Sequence, residues 1–331
     1  MIFCTLFDSN YIDKGLALCH SLESNVKEYS LYIFCFDNKS FEILQNLSLQ
    51  NVIPVHYSQI EDDKLLKLKE KRSKAEYCWT CTPVIIEYVL DHFQADNCTY
   101  IDADVYFFAD ADVLYQEIKR AGANIVITEH RFGTNLWKKR WEKKSGKYCV
   151  EFNYFDQSEN ARKALAWWKK KCFEWCYARY EAERMGDQKY LEKFPVLFQG
   201  VHALQHLGGG VAPWNLYQYK LDSIKQKIML KEKKTGSSFP LIFFHFQNIR
   251  YLSEKNVNIN SGTCDKKLKR MIYFPYLREI EKNRKMLKEQ YGLRFPVRKS
   301  YSSNRVKAFI QKYIMQFKVT RLSDVIKLDK L

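Results

Sequence analysis

The chain has 331 residues, 46% hydrophobic and 15% aromatic, with seven prolines, twelve glycines and a net charge of +16. That composition supports one large core or two modest ones and excludes collagen-like, low-complexity and extensively disordered classes. The charge is uneven: residues 264–331 carry 19 Lys and Arg against 6 Asp and Glu, a net +13, which leaves +3 for residues 1–263. An appended basic segment, rather than a nucleic-acid surface over the whole protein, is the expectation.

Residues 2–7 form an apolar run that predicts a strand, followed by a turn at Asp8-Ser9-Asn10. Leu16, Cys19 and Leu22 then recur at helical spacing. Residues 31–36 and 51–57 predict a second and third strand, with a polar, Lys-rich stretch at 61–74 after them. Thr82-Pro83 has the signature of a helix start, an oxygen-bearing cap followed by proline. The helix predicted over 83–93 is apolar nearly all round and leads into a strand at 99–101, and 124–128 predicts another strand. Strand and helix in alternation predict an α/β fold, a mostly parallel open sheet flanked by helices, which binds ligands beyond the carboxyl ends of its strands.

In the second half, Ala161, Leu165, Trp168, Cys172, Trp175 and Arg179 predict one helix with a core-facing stripe. Residues 198–203, 211–212 and 241–244 predict short strands, and Gly208-Gly209-Gly210 predicts a turn without the context of a phosphate-binding loop. The segment from Met271 predicts helix, broken near Gly292 and Pro296. A last amphipathic helix has Val306, Phe309, Ile310, Tyr313, Ile314 and Phe317 on one side. Two units are expected, 1–263 and a basic, mainly helical extension at 264–331.

The run Tyr100-Ile101-Asp102-Ala103-Asp104 places two carboxylates at the end of an apolar strand. Burying either unpaired costs several kcal/mol, so the pair calls for a cation. Asp-x-Asp supplies the hard oxygen ligands that Mg²⁺ or Mn²⁺ prefers, with positions left for substrate phosphates. The ten cysteines include Cys78-Trp79-Thr80-Cys81 and Cys172 with Cys176, each pair in an aromatic or apolar setting that reads as reduced core rather than zinc. The opening Met1–Asp8 lacks the pattern of an export signal, and no run approaches the roughly 18 apolar residues of a membrane span, so a cytoplasmic protein is expected.

Four segments resemble the GT-A class of glycosyltransferases, specifically bacterial nucleotide-sugar transferases of surface-polysaccharide clusters, and are similar to retaining family 8. They are Phe7-Asp8-Ser9-Asn10-Tyr11, Tyr100-Ile101-Asp102-Ala103-Asp104, Gly186-Asp187-Gln188-Lys189-Tyr190-Leu191 and Phe244-His245-Phe246. Cys78–Pro83 and Val211–Asn215 also resemble the bacterial group, and the similarity spans about the first 250 residues. It implies a Rossmann-like GT-A sheet, Mn²⁺ or Mg²⁺ held by Asp102, Asp104 and His245, and a nucleotide contacted by Thr5, Asp8, Tyr11, Asp102 and Arg250. It also implies Asp187 and Gln188 beside the transferred sugar.

The implied activity is transfer from a nucleotide-diphosphate sugar to a glycan or lipid-linked glycan in lipopolysaccharide or capsule synthesis, with retention favoured. An inverting enzyme would need a base, for which Glu151 is the candidate. The alternative is a degenerate domain acting as a glycan-binding or scaffold subunit. The basic tail suits either an anionic membrane surface or packing on the catalytic domain, and no nucleic-acid module is recognisable. The chain departs from the family at Lys189, at Cys149-Val150-Glu151 where Asn-x-Gly is usual, and after His245, where Arg250 is the nearest cation to serve a phosphate.

Overall fold

The apolar runs of the first hundred residues fold into strand–helix units. β1 (Ile2–Phe7), α1 (Ile12–Asn25), β2 (Ser30–Cys35), α2 (Asn38–Leu47), β3 (Val52–His56), α3 (Asp63–Lys71), α4 (Lys74–His92) and β4 (Asn97–Ile101) follow in order. The computed structural model describes residues 1–133, 136–224, 227–261, 265–297 and 324–331. Next come β5 (Val105–Phe107), α5 (Asp112–Ala121), β6 (Ile125–Glu129), α6 (Leu136–Ser145), β7 (Tyr148–Asp156), α7 (Glu159–Glu174), α8 (Phe194–Leu197) and β8 (Val201–Ala203).

Seven of these strands form one sheet in the order β3-β2-β1-β4-β7-β6-β8. Neighbours run parallel except around β7, which is antiparallel to both β4 and β6. This is the α/β fold expected, a mostly parallel open sheet flanked by helices. Alternation along each strand divides the core in two. Phe3, Ile33, Ile101 and Phe152 pack with Leu16, Ile43 and Leu114 of α1, α2 and α5. Cys4, Phe34, Tyr100 and Phe155 pack with Ile85, Val89 and Trp168 of α4 and α7.

Two helix boundaries in these layers differ from expectation. Helix α4 begins nine residues before Pro83, because Ser73 and Glu76 form a capping box that satisfies its first amides. Pro83 lies inside it and forgoes one backbone hydrogen bond. Helix α7 ends at Glu174, so Arg179 lies beyond it, with its guanidinium 4.7 Å from the Tyr177 ring centroid. Trp168 and Trp175 are core residues, as read. Cys81, Cys172 and Cys176 are buried in the α4–α7 layer among its apolar side chains.

After β8, β9 (Tyr219–Ile224), β10 (Ile228–Glu232) and β11 (Ser238–Pro240) form an antiparallel sheet. β12 (Phe243–His245) pairs antiparallel with β5. The glycine turn before it is tight: a Cβ on Gly208 would stand 1.9 Å from the Pro240 carbonyl oxygen. β13 (Arg250–Ser253) and β14 (Asn256–Asn258) precede α9 (Lys266–Tyr291), and β15 (Val325–Lys327) adds to β14.

Helix α9 starts five residues before Met271, where Asp265 caps its first amides, and ends at Gly292 with φ +63°. It packs along α1. Asn283 Nδ2 donates to the Asp13 carbonyl at 3.0 Å and Arg284 Nε to Asp13 Oδ2 at 2.7 Å. The expected helix over 306–318 and the unit boundary at 263/264 lie outside the described residues. Among the described residues no helix is long and apolar enough to cross a membrane.

Candidate functional site

The acidic pair occupies the turn between β4 and β5. Backbone bonds pin it: Asp102 N to Glu151 O at 3.4 Å, Val105 N to Asp102 O at 3.1 Å, and Phe246 N to Asp104 O at 2.8 Å. The β5–β12 register sets His245 opposite Val105. His245 Nε2 therefore lies 3.1 Å from Asp104 Oδ1 and 3.6 Å from Asp102 Oδ2. One ligand atom from each of Asp102, Asp104 and His245 falls within 4.8 Å of the others. Asp102 is the open side, with its side chain 28% exposed against 9% for Asp104 and 5% for His245.

Each of the three is held by another side chain. Tyr100 donates its hydroxyl to Asp102 Oδ1 at 2.8 Å, and Tyr11 donates to Asp104 Oδ2 at 2.8 Å. Behind the imidazole, Glu151 Oε2 lies 2.7 Å from Nδ1, and the Trp214 ring stands edge-on with centroids 5.3 Å apart.

Burial opposes charge throughout this cluster, and partners decide which groups carry it. Desolvation pushes Asp104 up, but the His245 charge and the hydrogen bonds from His245 and Tyr11 outweigh it and hold the carboxyl below its ordinary value. Desolvation likewise pulls His245 down, yet Asp104 and hydrogen bonds to Asp104, Cys149 and Glu151 raise it well above the usual range. Asp102 is pushed up by burial, with the neighbouring Asp104 charge adding to the shift and His245 opposing it. Asp104 and His245 thus hold opposite charges, and Asp102 is pushed toward its neutral form.

The turn after β1 joins the same site through Tyr11. Asp8 Oδ1 accepts from Asn10 N at 2.9 Å, and Lys74 forms an ion pair with Asp8. Asp37 fixes the turn from the other side, accepting from Ser9 N at 3.0 Å and Ser9 Oγ at 2.6 Å. Lys14 lies 4.2 Å from the Tyr11 ring centroid and pairs with Asp13 Oδ1 at 3.1 Å.

Asp187 is buried at the head of a 3₁₀ turn, Gln188–Lys193. Trp168 Nε1 donates to its carbonyl at 3.0 Å, and burial pushes its carboxyl up to about 7. Its electrostatic influence reaches Tyr100 and Asp102 and raises both. Gln188 turns its amide to the Ser145 carbonyl at 2.5 Å.

Thr5 is fully buried within β1. Arg250 bonds Asn248 Oδ1 at 3.0 Å and pairs with Asn258 across β13 and β14. No hydrogen bond or ion pair among the described residues joins either of these two to the acidic pair.

Sequence reasoning passed over Tyr100, Lys14, Lys74, Asp37 and the role of Glu151. Two of these had a signal. Tyr100 and Asp102 sit at i and i+2, the spacing of one strand face. Glu151 is an acid within the apolar strand Cys149-Val150-Glu151-Phe152, and a buried acid needs a partner.

No family model matches the chain. It is 30% identical over 289 residues to the uncharacterized protein YfnD of Bacillus subtilis (strain 168), covering 85% of this chain and 88% of YfnD. To the uncharacterized protein YfnF of the same organism it is 29% identical over 256 residues, covering 76% of this chain and 82% of YfnF. Among solved structures it is similar to the galactosyltransferase LgtC in complex with donor and acceptor sugar analogs. That match has a TM-score of 0.49 at 13% identity and covers 75% of this chain and 87% of LgtC. On its identity and coverage with YfnD, this chain belongs to the YfnD family.

Proposed function

We propose that this protein is a GT-A-type glycosyltransferase that moves a sugar from a nucleotide-diphosphate donor to a glycan or lipid-linked glycan. The observation that carries this reading is the convergence of Asp102, Asp104 and His245 at the carboxyl end of β4, joined through Tyr11 to the turn after β1. The donor set fits a divalent ion: carboxylate oxygens with one imidazole nitrogen suit Mn²⁺, and Mg²⁺ less well.

Cleaving the bond from the anomeric carbon to a nucleoside diphosphate places negative charge on the leaving group. A bound divalent ion at Asp102, Asp104 and His245 would supply the compensating charge. The chain's own residues do the rest. Tyr11 and Tyr100 orient the two carboxylates, and the Asp8 turn receives the nucleoside. Asp187, buried at the head of its 3₁₀ turn, hydrogen-bonds hydroxyls of the transferred sugar, with Gln188 next to it.

Retention of configuration is favoured. Glu151, the candidate base for inversion, is fully buried and engaged with His245. The acceptor belongs to lipopolysaccharide or capsule synthesis, with the enzyme on the cytoplasmic side of an anionic membrane surface. The net +13 of residues 264–331 supports that placement, as do the exposed Lys266, Lys267 and Arg270 of α9.

Release of nucleoside diphosphate from a panel of nucleotide-sugars, with Mn²⁺ and with chelator, tests the activity. Release that requires the metal supports the reading, and no release from any donor contradicts it.

A further inference from the structure

Glu151 is fully buried in β7, where an ionised carboxylate is costly without a partner. Its Oε2 is 2.7 Å from His245 Nδ1. Its backbone oxygen accepts from Asp102 N at 3.4 Å, so one residue touches both halves of the acid–imidazole cluster.

The surroundings are shaped around this contact. Gly210 has φ +88°, and a Cβ there would stand 3.0 Å from Glu151 Oε1 and 2.7 Å from Thr128 Cγ2. Glycine at 210 therefore leaves room for the carboxylate. Trp214, fixed by its Nε1 bond to the His130 carbonyl at 2.8 Å, closes the side of the imidazole and opposes a ring flip.

Ligand atoms of Cys149, Glu151 and His245 also fall close together, but all three residues are buried. The Nε2 side instead meets Asp102, whose side chain is 28% exposed. Access therefore assigns the cation to Nε2 and leaves Nδ1 to Glu151.

We propose that Glu151 is the positioning residue of this centre: it holds a proton on His245 Nδ1, fixes the ring, and so presents Nε2 to a divalent ion shared with Asp102 and Asp104. Carboxylate partners of this kind orient metal-binding histidines, and their loss costs 10- to 100-fold in metal affinity. The cation in this proposal rests on the glycosyltransferase reading; the Nδ1 contact does not.

The test uses the full chain labelled with ¹⁵N-histidine, as wild type, Glu151→Gln and Glu151→Ala. Gln keeps the shape and an acceptor oxygen while removing the charge, so it reports even if Ala fails to fold. Two quantities are read: the His245 Nδ1–H proton resonance without metal, and Mn²⁺ affinity by calorimetry. The proposal predicts a downfield Nδ1–H resonance that moves upfield in Glu151→Gln, with Mn²⁺ binding roughly 10-fold weaker in Gln and 100-fold weaker in Ala.

An unmoved resonance, or Mn²⁺ affinity within twofold of wild type in the folded variants, overturns it. Should wild type take up no Mn²⁺, the metal reading of the site falls. The resonance still decides the contact: a shift in Glu151→Gln upholds Glu151 as the residue that orients His245, and no shift removes it.

Discussion

The Tyr11 hydroxyl donates to Asp104 Oδ2 at 2.8 Å across 93 residues of sequence, and so locks the turn after β1 to the acidic turn after β4. Hydrogen bonds to a charged group contribute about 1.5–3 kcal/mol, more than neutral ones. Tyr11→Phe should therefore destabilise the protein by about 2 kcal/mol in urea melts and lower donor turnover about tenfold. Unchanged turnover would mean that this bond does not set the position of Asp104.

The two halves of the site should separate by mutation. Asp8→Asn alters the turn that would receive the nucleoside and leaves the acid–imidazole cluster intact. It should weaken nucleoside diphosphate binding about tenfold and leave Mn²⁺ affinity within twofold, both read by calorimetry. Equal loss of both would place Asp8 in the metal centre instead.

Helix α9 is fastened by Arg284, which bonds the fully buried Asp13 and lies 3.3 Å from the Tyr251 ring centroid. Removing one partner of a buried pair costs about 3–5 kcal/mol. Lys14 remains on the other Asp13 oxygen, so Arg284→Met should cost about 3 kcal/mol in equilibrium unfolding. A change below about 0.5 kcal/mol would show that the Arg284–Asp13 pair does not hold α9 in place.

His130 gives the protein an acid-labile component. Burial drives its imidazole down to about 3, whereas an unfolded histidine titrates near 6.5. Between these values the unfolded chain binds the extra proton, so stability falls as pH drops below 6.5. From pH 7.5 to pH 5 the loss from this residue is about 2 kcal/mol. The ring stacks on Phe132 with centroids 4.5 Å apart, so His130→Phe should keep the contact and flatten the pH 5–7.5 stability curve by that amount. An identical slope in the variant would show that His130 takes up its proton equally in the folded and unfolded chains, which contradicts the burial effect.

Much of the fold was legible because apolar strands and helical stripes carry their own periodicity. The boundaries of β1, β2 and β3 fall within a residue or so of the runs that predict them, and Asp102-x-Asp104 announces a turn by its cost of burial. What was not legible depended on partners distant in sequence. Thr82-Pro83 is a plausible helix start until the Ser73–Glu76 capping box, which the Lys-rich stretch obscures, extends α4 past it. Glu151 reads as a free acid until β7 inserts antiparallel between β4 and β6 and brings it to His245, 94 residues away. The basic charge of α9 conceals a buried face, and its clamp on Asp13 spans about 270 residues.

The central claim is that Asp102, Asp104 and His245 bind a divalent ion together with a nucleoside diphosphate. Thermal melting of wild type and Asp104→Asn against uridine, guanosine, adenosine and deoxythymidine diphosphates, with and without Mn²⁺, tests it most directly. A ligand present at 100 times its Kd adds about 2.7 kcal/mol of stability. The account predicts that at least one diphosphate raises the wild-type Tm by several degrees only when Mn²⁺ is present, and that Asp104→Asn abolishes the gain. No Mn²⁺-dependent gain with any of the four, or a full gain in Asp104→Asn, would contradict it.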